Sequence, residues 1–239
     1  MHELICVGCG PGDPELLTVK AVKAIQNAEV IMCPTSKEGK PSIALSVISS
    51  LIDESKKQII NLVFPMTKDK NKLVNAWENN AKTLAEAVIS GKKVVYLTVG
   101  DPYLYSTWIY LHRELETKHP DIKIKVIPGI VSMFTFASKV GISLAEGAEK
   151  MAVIPSCYDL SRVKAIAKNC DTMIFLKDGR YFDQVIKLLR EAGFSDKSLF
   201  AIGQDLDTDH EIVKKLTLGQ VTDKVFTTKY FSIMVVKRV

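Results

Sequence analysis

The chain has 239 residues, of which 47% are hydrophobic and 25% are charged, so it can bury a large core in one large or two modest domains. Its net charge of +5 comes from lysines spread along the chain without a basic tract, so we expect no nucleic-acid partner. No segment approaches the roughly 18 consecutive apolar residues that span a bilayer. The amino terminus also lacks a signal-peptide pattern, so we expect no membrane partner and a cytoplasmic protein.

The first predicted elements are a short apolar run, a glycine-rich loop and an amphipathic helix. Residues 4–7 predict a buried strand, and residues 8–12 predict the loop after it. Asp13 is well placed as a helix N-cap with Pro14 at the first helical position. Apolar positions then recur at helical spacing from 17 to 28, so the chain is expected to open as strand, loop and helix.

This order raises the hypothesis of a dinucleotide site, because glycine-rich loops that enter a helix bind pyrophosphate. The fingerprint Gly-x-Gly-x-x-Gly is met at Gly8 and Gly10 but has Asp13 where the third glycine should stand. Glu29 precedes the predicted strand 30–33, whereas a ribose-binding carboxylate ends that strand. The loop therefore suits a cofactor with positive charge better than a phosphate or a nicotinamide dinucleotide.

The Cys-x-x-Cys match in the same region is interpreted as structural. Five cysteines, an odd number, do not indicate a disulfide framework. Cys6 belongs to the apolar run 4–7 and Cys9 to the turn after it, whereas a redox pair opens a helix. A zinc site needs a second close pair, and Cys157 and Cys170 are too far apart to supply one.

Between residues 34 and 97 the pattern alternates between helix and strand. The predicted elements are a polar connection at 34–41, a helix at 42–51, a strand at 59–64, a long helix at 74–88 and a strand at 94–97. This alternation is typical of a parallel sheet with helices on both faces.

The stretch 99–107 takes the chain from a strand through a turn into a helix. Gly100 allows the backbone to approach a ligand closely, Asp101 supplies a carboxylate, and Pro102 fixes the turn. A helical apolar stripe follows at 104–115. Ligands of open parallel sheets bind just beyond the carboxyl ends of strands, so this junction is the first candidate for a small-molecule site.

Residues 118–121 end that helix and are the predicted domain boundary, which gives domains 1–120 and 121–239. The alternating run 122–127 predicts a strand with one solvent-facing side, and a Pro-Gly turn at 128–132 stops it before a buried helix. We expect this second strand-to-helix junction to face the first across a cleft.

The rest of the chain predicts a second α/β unit. Its strands are predicted at 151–154, 172–176 and 199–202, and its helices at 160–168 and 182–192. The last two strands, 211–216 and 230–236, follow without a helix between them, so this sheet is expected to be mixed and partly antiparallel.

Metal ligands and catalytic sets are not predicted from spacing. Segment 205–211 holds four carboxylates and a histidine but lacks the glycine with which a calcium loop makes its tight turn. His112 and His119 lie on or just after a helix, where surface positions are the usual ones. No Ser-His-Asp set or His-Glu-x-x-His motif is present. We expect no metal, and the catalytic residues are left unassigned.

Three stretches carry a family resemblance: residues 7–18 with the glycine loop, Gly100-Asp101-Pro102 with the helix after it, and Pro-Gly-Ile-Val-Ser at 128–132. In order and spacing they resemble the tetrapyrrole methylases, the S-adenosylmethionine (SAM) dependent enzymes that methylate carbon atoms of corrinoid and sirohaem precursors. Within that family, Tyr105-Ser106-Thr107 and Lys177-Asp178-Gly179-Arg180 are similar to the branch that methylates C20 of precorrin-2 or cobalt-precorrin-2.

The resemblance implies two α/β domains with a SAM cleft between them, a homodimer, and a reduced tetrapyrrole as substrate. The residues that it places around SAM are Pro11, Gly100, Asp101, Leu104, Val131, Ser132 and Leu176. The candidates for contact with the macrocycle and its carboxylates are Tyr105, Ser106, Thr107, Arg113, Lys177 and Arg180. Val131 stands where relatives often have threonine, and segment 205–211 replaces a Gly-Thr-Pro-like turn.

The implied reaction is direct methyl transfer from a sulfonium to the C20 meso carbon, with the electron-rich macrocycle as nucleophile. The protein then mainly aligns the reactants and excludes water. Tyr105, Asp101 or an ordered water are the hypotheses for the acceptor of the C20 proton. The alternatives are methylation of another corrinoid carbon or of uroporphyrinogen III, a nucleotide-binding oxidoreductase, and a non-catalytic binding protein with the same fold.

Overall fold

The structure is a computed structural model that describes residues 3–155, 159–177, 181–207, 210–222 and 232–239. The strands are β1 (Glu3–Gly8), β2 (Val30–Thr35), β3 (Gln58–Val63), β4 (Val94–Thr98), β5 (Lys123–Ile127), β6 (Met151–Ile154), β7 (Thr172–Leu176), β8 (Leu199–Gln204), β9 (Ile212–Thr217) and β10 (Ser232–Lys237). The α-helices are α1 (Val19–Asn27), α2 (Ile43–Ile48), α3 (Lys70–Ile89), α4 (Trp108–Lys118), α5 (Ser132–Val140), α6 (Leu160–Ala167) and α7 (Phe182–Glu191).

The chain divides into two compact units, Met1–Val131 and Ser132–Val239. The boundary predicted at residue 120 falls before β5, but β5 pairs in parallel with β1 and so belongs to the first sheet. The boundary therefore moves to 131. The local pattern of residues 122–127 identifies a strand but not its partner, because that partner is the first strand of the chain.

The first sheet has the order β3-β2-β4-β1-β5, and all its pairs are parallel. All five residues of β4 are buried, as is usual for a strand covered on both faces. On one face Cys6 and Tyr96 pack with α3 and α4, and on the other Val7 and Leu97 pack with α1 and α2. The predicted parallel sheet with helices on both faces is confirmed.

The central strands β1 and β4 are neighbours whose connections diverge. After β1 the chain passes through α1 to β2, on the far side of β4, and after β4 it passes through α4 to β5, on the far side of β1. Diverging connections of this kind open the crevice in which α/β sheets bind ligands. The register sets Gly8 opposite Thr98 and Val7 opposite Ile127, so the loops after β1, β4 and β5 start at one edge of the sheet.

The second sheet has the order β6-β7-β10-β8-β9 and is mixed, as predicted. Strands β6 and β7 are parallel, whereas β10 is antiparallel to both β7 and β8, and β8 is antiparallel to β9. Segment 205–211 joins β8 to β9, and so short a connection allows only antiparallel pairing. Val163 of α6 and Leu189 of α7 pack with Phe175 of β7 in the core of this unit. Residues 230 and 231 of the predicted last strand lie outside the described residues.

The first helix begins later than its sequence pattern predicts. Asp13 caps only one 3₁₀ turn, Pro14–Leu16, with its carboxylate accepting from the Glu15 N–H at 2.8 Å. The chain is extended at Leu17. Thr18 then caps α1, its hydroxyl accepting from the Ala21 N–H at 3.1 Å. Two successive capping residues thus divide what looked like one helix start.

Candidate active site

Three glycine backbones meet at the carboxyl edge of the first sheet. A Cβ placed on Gly8 would lie 2.6 Å from the Gly129 nitrogen and 2.7 Å from the Gly100 carbonyl oxygen. Since these neighbours are backbone atoms, they cannot rotate away from a side chain. The turns after β1, β4 and β5 can approach one another only because Gly8 and Gly129 carry no side chain. We call these two residues, together with Gly100, whose carbonyl oxygen lies against them, the glycine cradle.

The loops after β1 and β4 are also joined by backbone hydrogen bonds. The Gly100 N–H donates to the Gly10 carbonyl at 2.7 Å, and the Gly10 N–H donates to the Gly100 carbonyl at 3.3 Å. Gly100 has φ of +69°, which favours glycine. Among the described residues, no atom lies within 4 Å of a Cβ placed on Gly100. One side of this turn is therefore open to a ligand.

Asp101 ties the Gly-Asp-Pro turn to the Pro-Gly turn after β5. Its Oδ1 accepts from the Tyr103 N–H at 2.9 Å, and its Oδ2 accepts from the Gly129 N–H at 3.1 Å. The two strand-to-helix junctions that the sequence expects to face each other are thus in contact. The half-buried carboxylate fixes both turns and places a negative charge beside the glycine cradle.

These residues fit the adenosyl sulfonium group of SAM. The glycine cradle lets a ligand lie against the backbone, and Asp101 can accept from an amino or hydroxyl group and favours a nearby cation. Pro11, Leu104 and Val131 are half-buried on the same three loops. Their contact with SAM stays a prediction.

Tyr105 has a strained backbone and an exposed ring. Its φ of +53° is uncommon for a residue other than glycine, and such strain is found most often at ligand sites. The residue is 39% exposed, and partial burial raises the pKa of its phenol. Of the three residues in the predicted Tyr-Ser-Thr contact, Tyr105 is the one whose side chain faces outward.

Ser106 and Thr107 are engaged within the fold. The Ser106 hydroxyl lies 2.8 Å from the Thr98 hydroxyl and accepts from the Trp108 N–H at 3.1 Å, and the residue is buried. The Thr107 hydroxyl lies 3.2 Å from the Tyr96 hydroxyl. These contacts attach the start of α4 to the end of β4, which the sequence motif did not indicate. Ser106 thus has a structural position where a substrate contact was predicted.

The other predicted contacts lie on separate elements of the two units. Arg113 is exposed on α4. In the second unit, Ser132 is half-buried at the start of α5, and Leu176 is buried at the end of β7. Lys177 follows with φ of +64°, its N–H donating to the Ser232 carbonyl at 3.0 Å, and burial lowers the pKa of its amine. Arg180 lies outside the described residues.

The Cys-x-x-Cys pair consists of buried thiols. Burial raises the pKa of Cys6 well above its ordinary value, and nearby Cys9 and Asp101 raise it further. Burial also raises the pKa of Cys9 to about 12, although the backbone of Thr98 opposes this shift. Both thiols stay protonated at neutral pH and are poor nucleophiles, as expected for core residues.

A cluster that sequence reasoning missed lies just beyond Asp101. The Tyr103 hydroxyl is 3.1 Å from His112 Nδ1, and His112 Nε2 is 3.5 Å from Glu116 Oε1. His112 was expected at the surface, but its ring stacks on Trp108 and only 20% of its side chain is exposed. His112 and Glu116 are four residues apart, which places them side by side on a helix, and this spacing was the signal in the sequence.

The acidic segment after β8 contacts a lysine of α5 in the same unit. Lys139 Nζ lies 2.9 Å from Asp207 Oδ1 and 3.0 Å from Glu211 Oε2, and these hydrogen bonds raise the pKa of Lys139. Glu211 Oε2 also accepts from the Asp207 N–H at 2.7 Å. Asp209 lies outside the described residues. The segment thus pairs with a cation that belongs to the protein.

The described part of the chain lacks two other features, a metal cluster and a membrane-spanning helix. No three His, Cys, Asp or Glu side chains converge there as metal ligands. No helix within those ranges is both long enough and apolar enough to cross a bilayer.

The chain was compared with known proteins. The model of the family Tetrapyrrole (Corrin/Porphyrin) Methylases matches residues 3–222. The probable cobalt-precorrin-2 C(20)-methyltransferase of Methanocaldococcus jannaschii is 35% identical over 203 residues, 81% of this chain and 84% of the relative. The precorrin-2 C(20)-methyltransferase of a Sinorhizobium species is 29% identical over 205 residues, 82% of each chain. Among solved structures, the methyltransferase CobJ has a TM-score of 0.75 at 18% identity, over 100% of this chain and 95% of CobJ.

The likeness to CobJ confirms the two-unit α/β fold. The family match spans both units and includes all three loops around the glycine cradle, which rules out the oxidoreductase hypothesis. The chain belongs to the tetrapyrrole methylases, a family of SAM-dependent C-methyltransferases.

Proposed function

We propose that this protein transfers a methyl group from SAM to C20 of a reduced tetrapyrrole, cobalt-precorrin-2 or precorrin-2. The observation that carries the proposal is the 35% identity to a probable cobalt-precorrin-2 C(20)-methyltransferase, which includes 81% of the chain. The glycine cradle and Asp101 support it, because they offer a close-approach site with negative charge for a cationic methyl donor. The name of this relative also favours the cobalt-containing substrate.

The residues of the first unit have separable roles in this proposal. Gly100 lets the donor lie against the backbone, and Asp101 accepts from its amino or hydroxyl groups while the same carboxylate holds two turns in place. SAM, when bound, supplies a methyl group activated by its sulfonium, and the macrocycle supplies the nucleophilic carbon. The rate then depends on alignment of the two reactants and on exclusion of water.

The substrate's carboxylates require cations. Arg113, Lys177 and Arg180 are proposed at its rim, with arginine suited to two parallel hydrogen bonds to a carboxylate. Tyr105 is proposed against the macrocycle because its ring is exposed and its backbone is held in a strained conformation. Ser132 and Leu176 are the remaining proposed SAM contacts, and only the family resemblance supports them. The SAM cleft between the two units also stays a prediction.

A homodimer and a cytoplasmic location are part of the proposal and are supported by the family resemblance. Light scattering on the purified protein is expected to give twice the mass of one chain. A mass equal to one chain over a wide concentration range would contradict the homodimer.

The decisive experiment locates the new methyl group. The protein is incubated anaerobically with ¹³C-methyl SAM in two parallel reactions, one with cobalt-precorrin-2 and one with metal-free precorrin-2. NMR then assigns the labelled carbon of each product. We expect the label at C20, with faster turnover of the cobalt form. A label at another carbon would keep the methylase and overturn the C20 assignment, whereas SAM binding without turnover of either substrate would favour a binding protein.

A further inference from the structure

Tyr103, in the turn before α4, and His112 and Glu116, on α4, form a hydroxyl–imidazole–carboxylate chain. The Tyr103 hydroxyl lies 3.1 Å from His112 Nδ1, and Glu116 Oε1 lies 3.5 Å from His112 Nε2. A carboxylate at Nε2 favours the tautomer with its proton on that nitrogen. Nδ1 then has a free lone pair and accepts the hydrogen of the tyrosine hydroxyl. The geometry is that of a proton relay with the phenol at its outer end.

The surroundings hold this chain in place. The His112 ring stacks on the buried Trp108 ring, with centroids 5.3 Å apart and planes within 15°. The Tyr103 N–H donates to Asp101 Oδ1, which fixes the residue two positions after the proposed SAM contact. At the same time 51% of Tyr103 is exposed. The inner imidazole is thus immobilised while the outer phenol is accessible to a ligand.

We propose that Tyr103 Oη accepts the C20 proton after methyl transfer, with His112 as the relay and Glu116 as its orienting partner; this proposal rests on the proposed function. Methylated C20 carries both a methyl group and a hydrogen. The C20–H bond breaks, its electron pair returns to the macrocycle, and the proton passes to Tyr103 Oη. The phenol proton moves at the same time to His112 Nδ1, and the resulting imidazolium pairs with Glu116 before it loses a proton to water.

Asp101 and Ser106 are less suited to this step. Both oxygens of Asp101 already accept hydrogen bonds from backbone N–H groups, and the Ser106 hydroxyl is buried against Thr98. Partial burial raises the pKa of Tyr103, and although a hydrogen bond with the Trp108 side chain opposes this shift, the charges of Cys6, Glu116 and Asp101 act in the same direction as burial. A free phenolate is therefore disfavoured at neutral pH, so Tyr103 needs a neighbour that takes its own proton. His112 is in position to do so.

The test compares Tyr103→Phe with wild type in single turnovers on cobalt-precorrin-2 that carries hydrogen or deuterium at C20. Loss of a positioned proton acceptor lowers rates by about 10²-fold or more. We expect that loss in Y103F, together with a larger C20 deuterium isotope effect because proton removal becomes rate-limiting. The dissociation constant for S-adenosylhomocysteine should not change. Tyr110→Phe is the matched control. Tyr110 is an exposed tyrosine like Tyr103, but it lies on α4 and its ring stacks on Trp77.

A second variant, His112→Asn, and ¹⁵N NMR of the wild type ensure that the test does not depend on Y103F alone. The asparagine keeps a polar group near the Nδ1 position but cannot take up a proton, so we expect the same rate loss and isotope effect as in Y103F. In the wild type, the imidazole ¹⁵N shifts should report the Nε2–H tautomer. An Nδ1–H tautomer would overturn the relay, because that nitrogen could not accept the phenol proton.

The outcomes separate the two proposals. If wild type methylates C20 and Y103F does so at the same rate with the same isotope effect, the relay is overturned and the proposed function stands. If wild type methylates neither precorrin-2 nor its cobalt form at C20, the C20 function is overturned and the relay with it. A slow Y103F with weakened S-adenosylhomocysteine binding would show a structural role for Tyr103 and would also overturn the relay.

Discussion

At the scale of single residues, Asp101 is important to both structure and ligand binding. Asp101→Ala removes the acceptors of the Tyr103 and Gly129 N–H groups, so we expect a loss of about 1–3 kcal/mol in the free energy of unfolding. Affinity for S-adenosylhomocysteine should fall at least tenfold by calorimetry, with Asp101→Asn intermediate because it keeps one acceptor oxygen. Exposed Asp121→Ala is the control. Unchanged affinity in D101A would show that the cofactor lies elsewhere.

Gly8 tests the glycine cradle. Gly8→Ala inserts a methyl group 2.6 Å from the Gly129 nitrogen, and the backbone atoms around it cannot give way without moving two turns. Overpacking of this kind costs about 1–3 kcal/mol or more. The control is Gly39→Ala, where φ is +73° but no described atom lies within 4 Å of the new Cβ. Gly39→Ala has only the cost of a left-handed φ, so urea unfolding should show the larger loss for Gly8→Ala. No loss of stability in Gly8→Ala would mean that close approach does not determine the glycine at position 8.

At the scale of elements, one ion-pair cluster attaches α5 to the segment between β8 and β9. Burial acts to raise the pKa of Glu211, but hydrogen bonds from the Asp207 N–H and from Lys139 outweigh it, so the pKa lies below its ordinary value. A carboxyl with a lowered folded-state pKa stabilises the fold above its ordinary pKa of about 4.3. That stability is lost as the pH falls through the lowered value.

Glu211→Gln should therefore have a lower free energy of unfolding than wild type at pH 7. The difference between the two proteins should become smaller below about pH 4.3, as Glu211 of the wild type becomes protonated in the folded and the unfolded state. Urea unfolding at a series of pH values measures this difference. Glu38→Gln, on an exposed loop, should show no such trend. If the difference in free energy of unfolding were constant from pH 7 to pH 3, the ionised carboxylate would not be what stabilises this contact.

At the scale of the whole molecule, a bound ligand should stabilise the fold. A ligand at 100 times its dissociation constant adds about 2.7 kcal/mol to the free energy of unfolding when it binds only the folded state. For a chain of this size that corresponds to a rise of several degrees in Tm. We expect this rise with S-adenosylhomocysteine and none with NAD. Stabilisation by NAD alone would contradict the assignment of a SAM site.

The order of elements and the candidate turns could be predicted from the sequence. Fully buried β4 appears as a continuous apolar run, and the apolar stripes of α3 and α4 recur every three to four residues, because burial selects side chains locally. Gly100 and Asp101 were identifiable for a similar reason, since a left-handed turn favours glycine and a carboxylate is a local acceptor. The predicted start of the first helix was still wrong, because Asp13 caps a separate 3₁₀ turn and Thr18 caps α1.

The sequence by itself determined the α/β alternation, the mixed second sheet, the three glycine-containing loops and their resemblance to the tetrapyrrole methylases. Only the tertiary structure decided that β5 pairs with β1, that Gly8 and Gly129 lie against Gly100, and that Tyr103 contacts His112. The physical reason is that local patterns report which side of an element is buried, whereas these contacts depend on strand order and on the path of the chain between distant residues.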